Sequence, residues 1–299
     1  MDHDVVIVGG SFAGLAAALQ LARARRSVLV VDSGLPRNRF SHAAHGILGH
    51  DGRSPAGIRG LGREQLLAYP TASIVDATVG RITGEADGFH VEFGEWESVW
   101  ARRIILAHGV TDTLPDIEGL AACWGISVLH CPYCDGFENA DKRIGVLIND
   151  VMPVHQAWML PDWSDDVTFF TRGRDLTGEE RATLALRGVM VVEEPMTSVR
   201  HRDGCIEAAV LGGGSEVPLD ALFVAPTTAP SSPLAGELGC ELEDGPMGRY
   251  IKVDGRMATS VPGVCAAGDT ARAMQNGSLA IADGAMAGAM THMTLIPTT

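Results

Sequence analysis

Two cysteines separated by two residues, Cys131-Pro132-Tyr133-Cys134, are the part of this chain best suited to chemistry. A C-x-x-C pair can close and open a small disulfide loop. A neighbouring cation or helix N-terminus lowers the pKa of the attacking thiol. Zinc binding is a second use for such a pair, but it needs four ligands, and the chain holds no second C-x-x-C and no H-x-x-x-H. Two inert buried thiols are the third reading. The other cysteines, Cys123, Cys205, Cys240 and Cys265, are scattered and read as spectators, not as a disulfide framework.

A second chemical signal opens the chain. Gly9-Gly10-Ser11-Phe12-Ala13-Gly14 follows the β-branched run Asp4–Val8 and precedes an alanine- and leucine-rich stretch, Leu15–Arg25. Glycines at a strand-to-helix turn let the backbone approach a pyrophosphate, and the helix N-terminus adds N–H donors. Gly9 and Gly14 hold the outer positions of G-x-G-x-x-G, and Ser11 takes the middle one. A second strand, Ser27–Val31, ends in Asp32, where an acid accepts from a ribose hydroxyl. The turn alone does not separate FAD from NAD, and a tight turn without ligand would look similar. The tail separates them. Thr259 to Asp269, ending Ala266-Ala267-Gly268-Asp269, resembles the second FAD motif of flavoproteins with two dinucleotide-binding domains, in which the aspartate contacts the ribityl and pyrophosphate region. In isolation Asp269 would read as a helix cap or a solvated acid.

These residues need a scaffold, and the apolar patterning describes one. Residues 4–32 read strand, turn, helix, strand. A helix is expected near Pro55–Ala68, a β-meander over 71–107, and a buried strand at Arg103–Leu106 running to Gly109. Leu114–Gly119 is turn-rich. A second βαβ pattern follows: strand Arg143–Ile148, short helix Pro153–Leu160, strand Asp166–Phe170, with further strands at Val189–Val192 and Leu222–Ala225. Pro, Ser and Gly concentrate again over 226–240, and an alanine-rich helix spans Ser278–His292. The pattern predicts an α/β chain of two nucleotide-binding folds, residues 1–112 with 240–299 and, inserted between them, 118–236.

Charge and composition narrow the partners. A net charge of −14 argues against nucleic acid and against an anionic membrane surface. No apolar run of about 18 residues is present to span a membrane. The start, Met1-Asp2-His3-Asp4, is acidic where a secretory signal would be basic. The expectation is therefore a cytoplasmic protein, where disulfides are mostly transient and catalytic. No metal is expected.

Taken together, Val6–Gly14, Cys131–Glu138 and Ala266–Asp269 fall in the order and spacing of the low-molecular-weight thioredoxin reductase family, and the chain resembles that family over nearly its whole length. The resemblance implies two Rossmann-like domains of the three-layer ββα type, the second inserted into the first, a FAD cofactor and a homodimer. It implies that Cys134 faces the flavin, that Cys131 exchanges with substrate, and that Asp135 carries the thiol proton. It places Arg37-Asn38-Arg39 and His45-Gly46 near the flavin or adenine, and Gln275 and Asn276 at the flavin ring. Ser11, Phe12, Ala13 and Gly109 belong to the same expected cofactor site. His108 and His130 lie beside it in sequence, as ligand contacts or as ordinary strand-end histidines.

One segment departs from the family. Its NADPH site needs a second G-x-G-x-x-A/G turn, and the matching place reads Ile148-Asn149-Asp150-Val151-Met152-Pro153. None of the small residues is kept, and Asp150 would oppose a pyrophosphate. Arg172 and Arg174 retain basic character beyond the next strand. The loss resembles family members that work without NADPH. These are oxidases of natural-product dithiols of the holomycin, gliotoxin and romidepsin type, and ferredoxin-linked thioredoxin reductases. The expected partner is a small dithiol or disulfide, or a thioredoxin-like protein. Dithiol oxidation with oxygen is favoured. The alternatives are a disulfide reductase driven by NADPH or ferredoxin, and a non-catalytic flavoprotein sensor.

Overall fold

The computed structural model describes residues 1–85, 87–148 and 154–297. The chain opens with β1 (His3–Val8), α1 (Phe12–Arg23), β2 (Val28–Asp32), α2 (Pro55–Leu67) and β3 (Ala72–Asp76). β3, β2 and β1 form a parallel sheet. β4 (Val79–Glu85), β5 (Gly88–Phe93) and β6 (Glu97–Leu106) form an antiparallel meander, and the second half of β6 also pairs in parallel with β1. Residues 72–76 therefore belong to the parallel sheet, not to the meander expected over 71–107. Their modest burial hid this, because β3 lies at the sheet edge.

Strand alternation explains the layering. Val5, Ile7, Val28 and Val30 face one core with α1, whereas Val6, Val8, Leu29 and Val31 face the meander side. A strand buried on both faces reads as a continuous apolar run. The same logic recurs in the middle of the chain. After β7 (Val110–Thr113) come β8 (Val128–Leu129), α3 (Pro132–Asp135), β9 (Ile144–Leu147), α4 (His155–Met159), β10 (Val167–Phe170), α5 (Gly178–Leu186) and β11 (Met190–Val192). A second meander follows, β12 (Met196–Arg202), β13 (Cys205–Leu211) and β14 (Glu216–Pro218), and then β15 (Ala221–Val224). The second sheet is parallel, in the order β11-β10-β9-β15-β8. Ile144, Val146 and Phe169 pack with Ala157 of α4 and Leu184 of α5, whereas Leu147 and Phe170 pack against the β12–β14 meander. Residues 149–153, which carry most of the expected departure from the family, lie outside the described residues.

β16 (Thr227–Pro230) pairs antiparallel with β7, so a two-stranded ribbon links the two folds. α6 (Leu234–Glu237) and the hairpin of β17 (Leu242–Gly245) and β18 (Gly248–Ile251) lead back to the first fold. β19 (Val264–Ala266) joins its sheet beside β6, and α7 (Gly277–Thr294) packs on α1. That packing is close. A Cβ on Gly284 would sit 2.0 Å from the Ala13 carbonyl oxygen, and one on Gly288 would sit 2.5 Å from that of Ala17. Backbone against backbone, α7 brings the tail's motif over the N-terminal glycine turn.

Candidate active site

The glycine turn has the close packing its composition suggests. Gly9 has φ +103° and a Cβ there would meet the Ala107 carbonyl oxygen at 2.4 Å. A Cβ on Gly14 would lie 1.9 Å from the Gly9 carbonyl oxygen. Ser11 caps α1 in an extended conformation, with no side-chain bond to the helix amides, which leaves them free for an anion. Asp32, 5% exposed at the end of β2, accepts from Gly34 N at 3.1 Å and pairs with Arg63 at 3.2 Å.

Two cavities run from this turn. The smaller, about 90 Å³, is walled by Gly9, Gly10, Ser11 and Asp32. The larger, about 260 Å³, is walled by residues of both folds: Ser11, Phe12, Ala13, His45, Gly109, Asp269, Gln275 and Asn276 from one side, Cys131, Cys134 and Asp135 from the other. They share Ser11, Pro36, Ala107 and His108. A dinucleotide with its ribose at Asp32 would therefore reach the cysteines. Four of the expected contact residues do not line either cavity. Gly14 lies beneath the turn. Gly268, at φ +77°, packs against Ala13, where a Cβ would come within 2.7 Å. Gly46 bonds Asp51 through its amide and Ser278 through its carbonyl. Arg39 is also outside, lying over the Phe40 ring at 4.2 Å and donating to Pro36 O.

Arg37, two residues earlier, enters the larger cavity instead. Its guanidinium grips Asp112 of β7 with two nitrogens, at 2.5–3.1 Å, and donates to Gln275 Oε1 at 2.6 Å and to Asp269 at 3.4 Å. Burial opposes the Arg37 charge, but Asp112 and Asp269 outweigh it and raise its pKa. Burial raises Asp269, with Arg37 opposing. Asp112 was not foreseen, since an acid in a short ribbon strand has no signature of its own. Asn276 caps α7, accepting from Ser278 N at 2.8 Å.

Two histidines on the cavity wall are held neutral. Burial pushes His108 down to about 4, against the pull of the Gly109 carbonyl. That carbonyl, 3.2 Å from Nδ1, assigns the proton to Nδ1. Burial and the Arg37 charge push His130 down to about 4, with Asp112 opposing. His108 Nε2 and His130 Nδ1 are buried without a hydrogen-bond partner. Buried polar atoms are normally satisfied, so both ask for a polar ligand. The wall thus fits a flavin dinucleotide: a glycine cradle, a ribose acid, and unmatched polar atoms where the two folds meet.

The dithiol sits on α3. Cys131 precedes the helix, and Cys134 N and Asp135 N both donate to Cys131 O, at 3.0 and 3.2 Å. Both cysteines are free thiols. The Cys134 S–H donates to Cys131 sulfur, which lowers Cys131 and, with burial, raises Cys134 strongly. Burial and the Glu138 charge lift Asp135 to about 6, with His45 opposing. His45 Nε2 lies 3.4 Å from Glu138 Oε1. Among the described residues no cluster of three or more His, Cys, Asp or Glu is arranged to hold a metal, and no helix is long and apolar enough to cross a membrane.

A family model described as pyridine nucleotide-disulphide oxidoreductase matches residues 3–287. Thioredoxin reductase tcpT of Claviceps purpurea is 34% identical over 98% of this chain and 94% of its own length. The structure of an oxidoreductase from Agrobacterium tumefaciens superposes with a TM-score of 0.94 at 42% identity, covering 99% of both chains. The structure of HlmI superposes with a TM-score of 0.90 at 37% identity, covering 98% of this chain and 92% of its own. The chain belongs to the pyridine nucleotide-disulphide oxidoreductase family. Within it, this is a thioredoxin reductase-like FAD enzyme.

Proposed function

We propose that this enzyme oxidises a small dithiol to a disulfide through the Cys131–Cys134 pair, with oxygen as final acceptor and without NADPH. The observation that carries the thiol chemistry is the pair's place on the wall of the larger cavity, reached from the glycine turn. Independence from NADPH rests on sequence: Asn149–Pro153 lacks the small residues of a nucleotide turn. Beyond the next strand, Arg174 pairs with Glu180 at 3.2 Å through one nitrogen, and its Nη1 is buried without a hydrogen-bond partner.

In the oxidised enzyme a substrate thiolate attacks Cys131 sulfur. The Cys131–Cys134 bond breaks, a mixed disulfide forms on Cys131, and Cys134 leaves as thiolate. The second substrate thiol then attacks the mixed disulfide, which releases a cyclic disulfide and leaves both cysteines reduced. Asp135, poised near neutrality, takes up and returns the thiol protons. The two neutral histidines would hold the cofactor's polar edge, and Asp32 and Ser11 its ribose and phosphates. When bound, FAD supplies the two-electron acceptor that resets the pair.

The test is aerobic turnover of a dithiol, followed as hydrogen peroxide. Peroxide in step with disulfide, lost in Cys131→Ser, is expected. No reduction of the flavin by any dithiol would sink the proposal. A thioredoxin reductase is the second reading, favoured by the name of the Claviceps relative. A homodimer belongs to the reading too. The exposed Met286, Met293 and Ile296 of α7 and the tail after it give an apolar surface for a second copy.

A further inference from the structure

We propose that Arg37 is a positioning residue that pins the inter-fold ribbon to the cavity and so keeps Cys134 facing it. The inference rests on the reading that Cys134 is the cofactor-side thiol. The two folds are joined by the β7–β16 ribbon, and a two-stranded connection is a natural hinge. Arg37 belongs to the first fold. Its partner Asp112 belongs to the hinge strand, and the two side chains are only 17% and 8% exposed. The remaining guanidinium nitrogen is taken by Gln275 and Asp269, both from the tail that returns to the first fold. One cation therefore ties the hinge to the floor of the cofactor cavity.

The same segment touches the inserted fold twice more. Phe40 abuts Gly125, where a Cβ would come 2.6 Å from Phe40 Cβ. His45 meets Glu138, four residues after Cys134. These outer contacts are more exposed, so the buried Arg37–Asp112 pair is the anchor. Breaking such a pair leaves an uncompensated buried charge, and it shifts a local opening equilibrium by about a hundredfold.

Cysteine reactivity reads this directly. The FAD-loaded protein, reduced with a phosphine and held anaerobic, is treated with iodoacetamide, and each cysteine is followed by mass spectrometry. Cys205 is exposed and reports free reactivity, whereas Cys123, Cys240 and Cys265 are buried and report global unfolding. In the wild type Cys134 should react far more slowly than Cys205. In Arg37→Ala, Cys134 should react about a hundredfold faster while the three buried cysteines stay protected, with Arg37→Lys in between. Electrostatics cannot mimic this, because the Arg37 charge lowers the Cys134 pKa and its removal would slow alkylation. Unchanged protection of Cys134 in FAD-loaded Arg37→Ala would overturn the clamp. So would a rise shared with Cys123, Cys240 and Cys265. If Arg37→Ala fails to hold FAD, Asp112→Asn is judged by the same two outcomes. A wild-type Cys134 as reactive as Cys205 would instead refute its cofactor-side assignment.

Discussion

Asp135 gives the most quantitative prediction. Its carboxyl is lifted to about 6 by burial first and by the Glu138 charge second. An acid with that value is about nine-tenths ionised at pH 7 and about one-tenth at pH 5. If the ionised form receives the thiol proton, reduction of the enzyme by a dithiol should rise about tenfold from pH 5 to pH 7, with its midpoint near the Asp135 value. Glu138→Gln removes a neighbouring negative charge, so the Asp135 pKa falls and the rising limb moves to lower pH. Asp135→Asn should lose the limb and slow the step by about 10² to 10⁴. The assay is stopped-flow mixing of oxidised enzyme with excess dithiol under nitrogen, following flavin absorbance. The substrate thiol's own ionisation lies near or above pH 8, so it adds a separate limb on the alkaline side. A limb near pH 6 that survives in Asp135→Asn would refute the argument.

Two further predictions concern cofactor and stability. Gly14→Ala must displace the Gly9 carbonyl, since the added Cβ would lie 1.9 Å from it. Loss of one amide bond to a charged phosphate costs about 1.5–3 kcal/mol, so FAD retention should fall at least about tenfold on dilution. A wild-type flavin-to-protein ratio after gel filtration would contradict this. Asp283, 6% exposed, binds Arg272 through two bonds of 2.6 and 2.7 Å. Asp283→Ala should cost about 2–3 kcal/mol in urea unfolding, below the 3–5 of a fully buried pair, because Arg272 keeps access to water.

How much of this was legible depends on the range of the interaction. β1, β2, β9 and β10 were readable because both faces are buried and the runs are apolar. Gly9, Gly14 and Asp32 were readable because a local turn dictates their types. The β12–β14 meander was not: Met196-Thr-Ser-Val-Arg-His-Arg202 keeps one face in solvent and alternates only weakly. The Arg37–Asp112 pair joins residues 75 apart and leaves no local trace. The expected segment 37–39 borders the larger cavity, where a 3-10 turn over Arg37–Phe40 turns Arg37 inward and Arg39 outward. Asp135 was legible through resemblance alone. Its raised pKa arises from burial first and Glu138 second, which spacing does not reveal.

The central claim concerns where the electrons of the Cys131–Cys134 pair come from. Anaerobic titration of the FAD-loaded enzyme, first with NADPH and then with a dithiol, tests it most directly. NADPH should leave the flavin's visible absorbance intact, and the dithiol should bleach it, with four electrons per site taken up when both the disulfide and the flavin are reduced. Bleaching by NADPH at a catalytic rate would contradict it and make the enzyme a reductase.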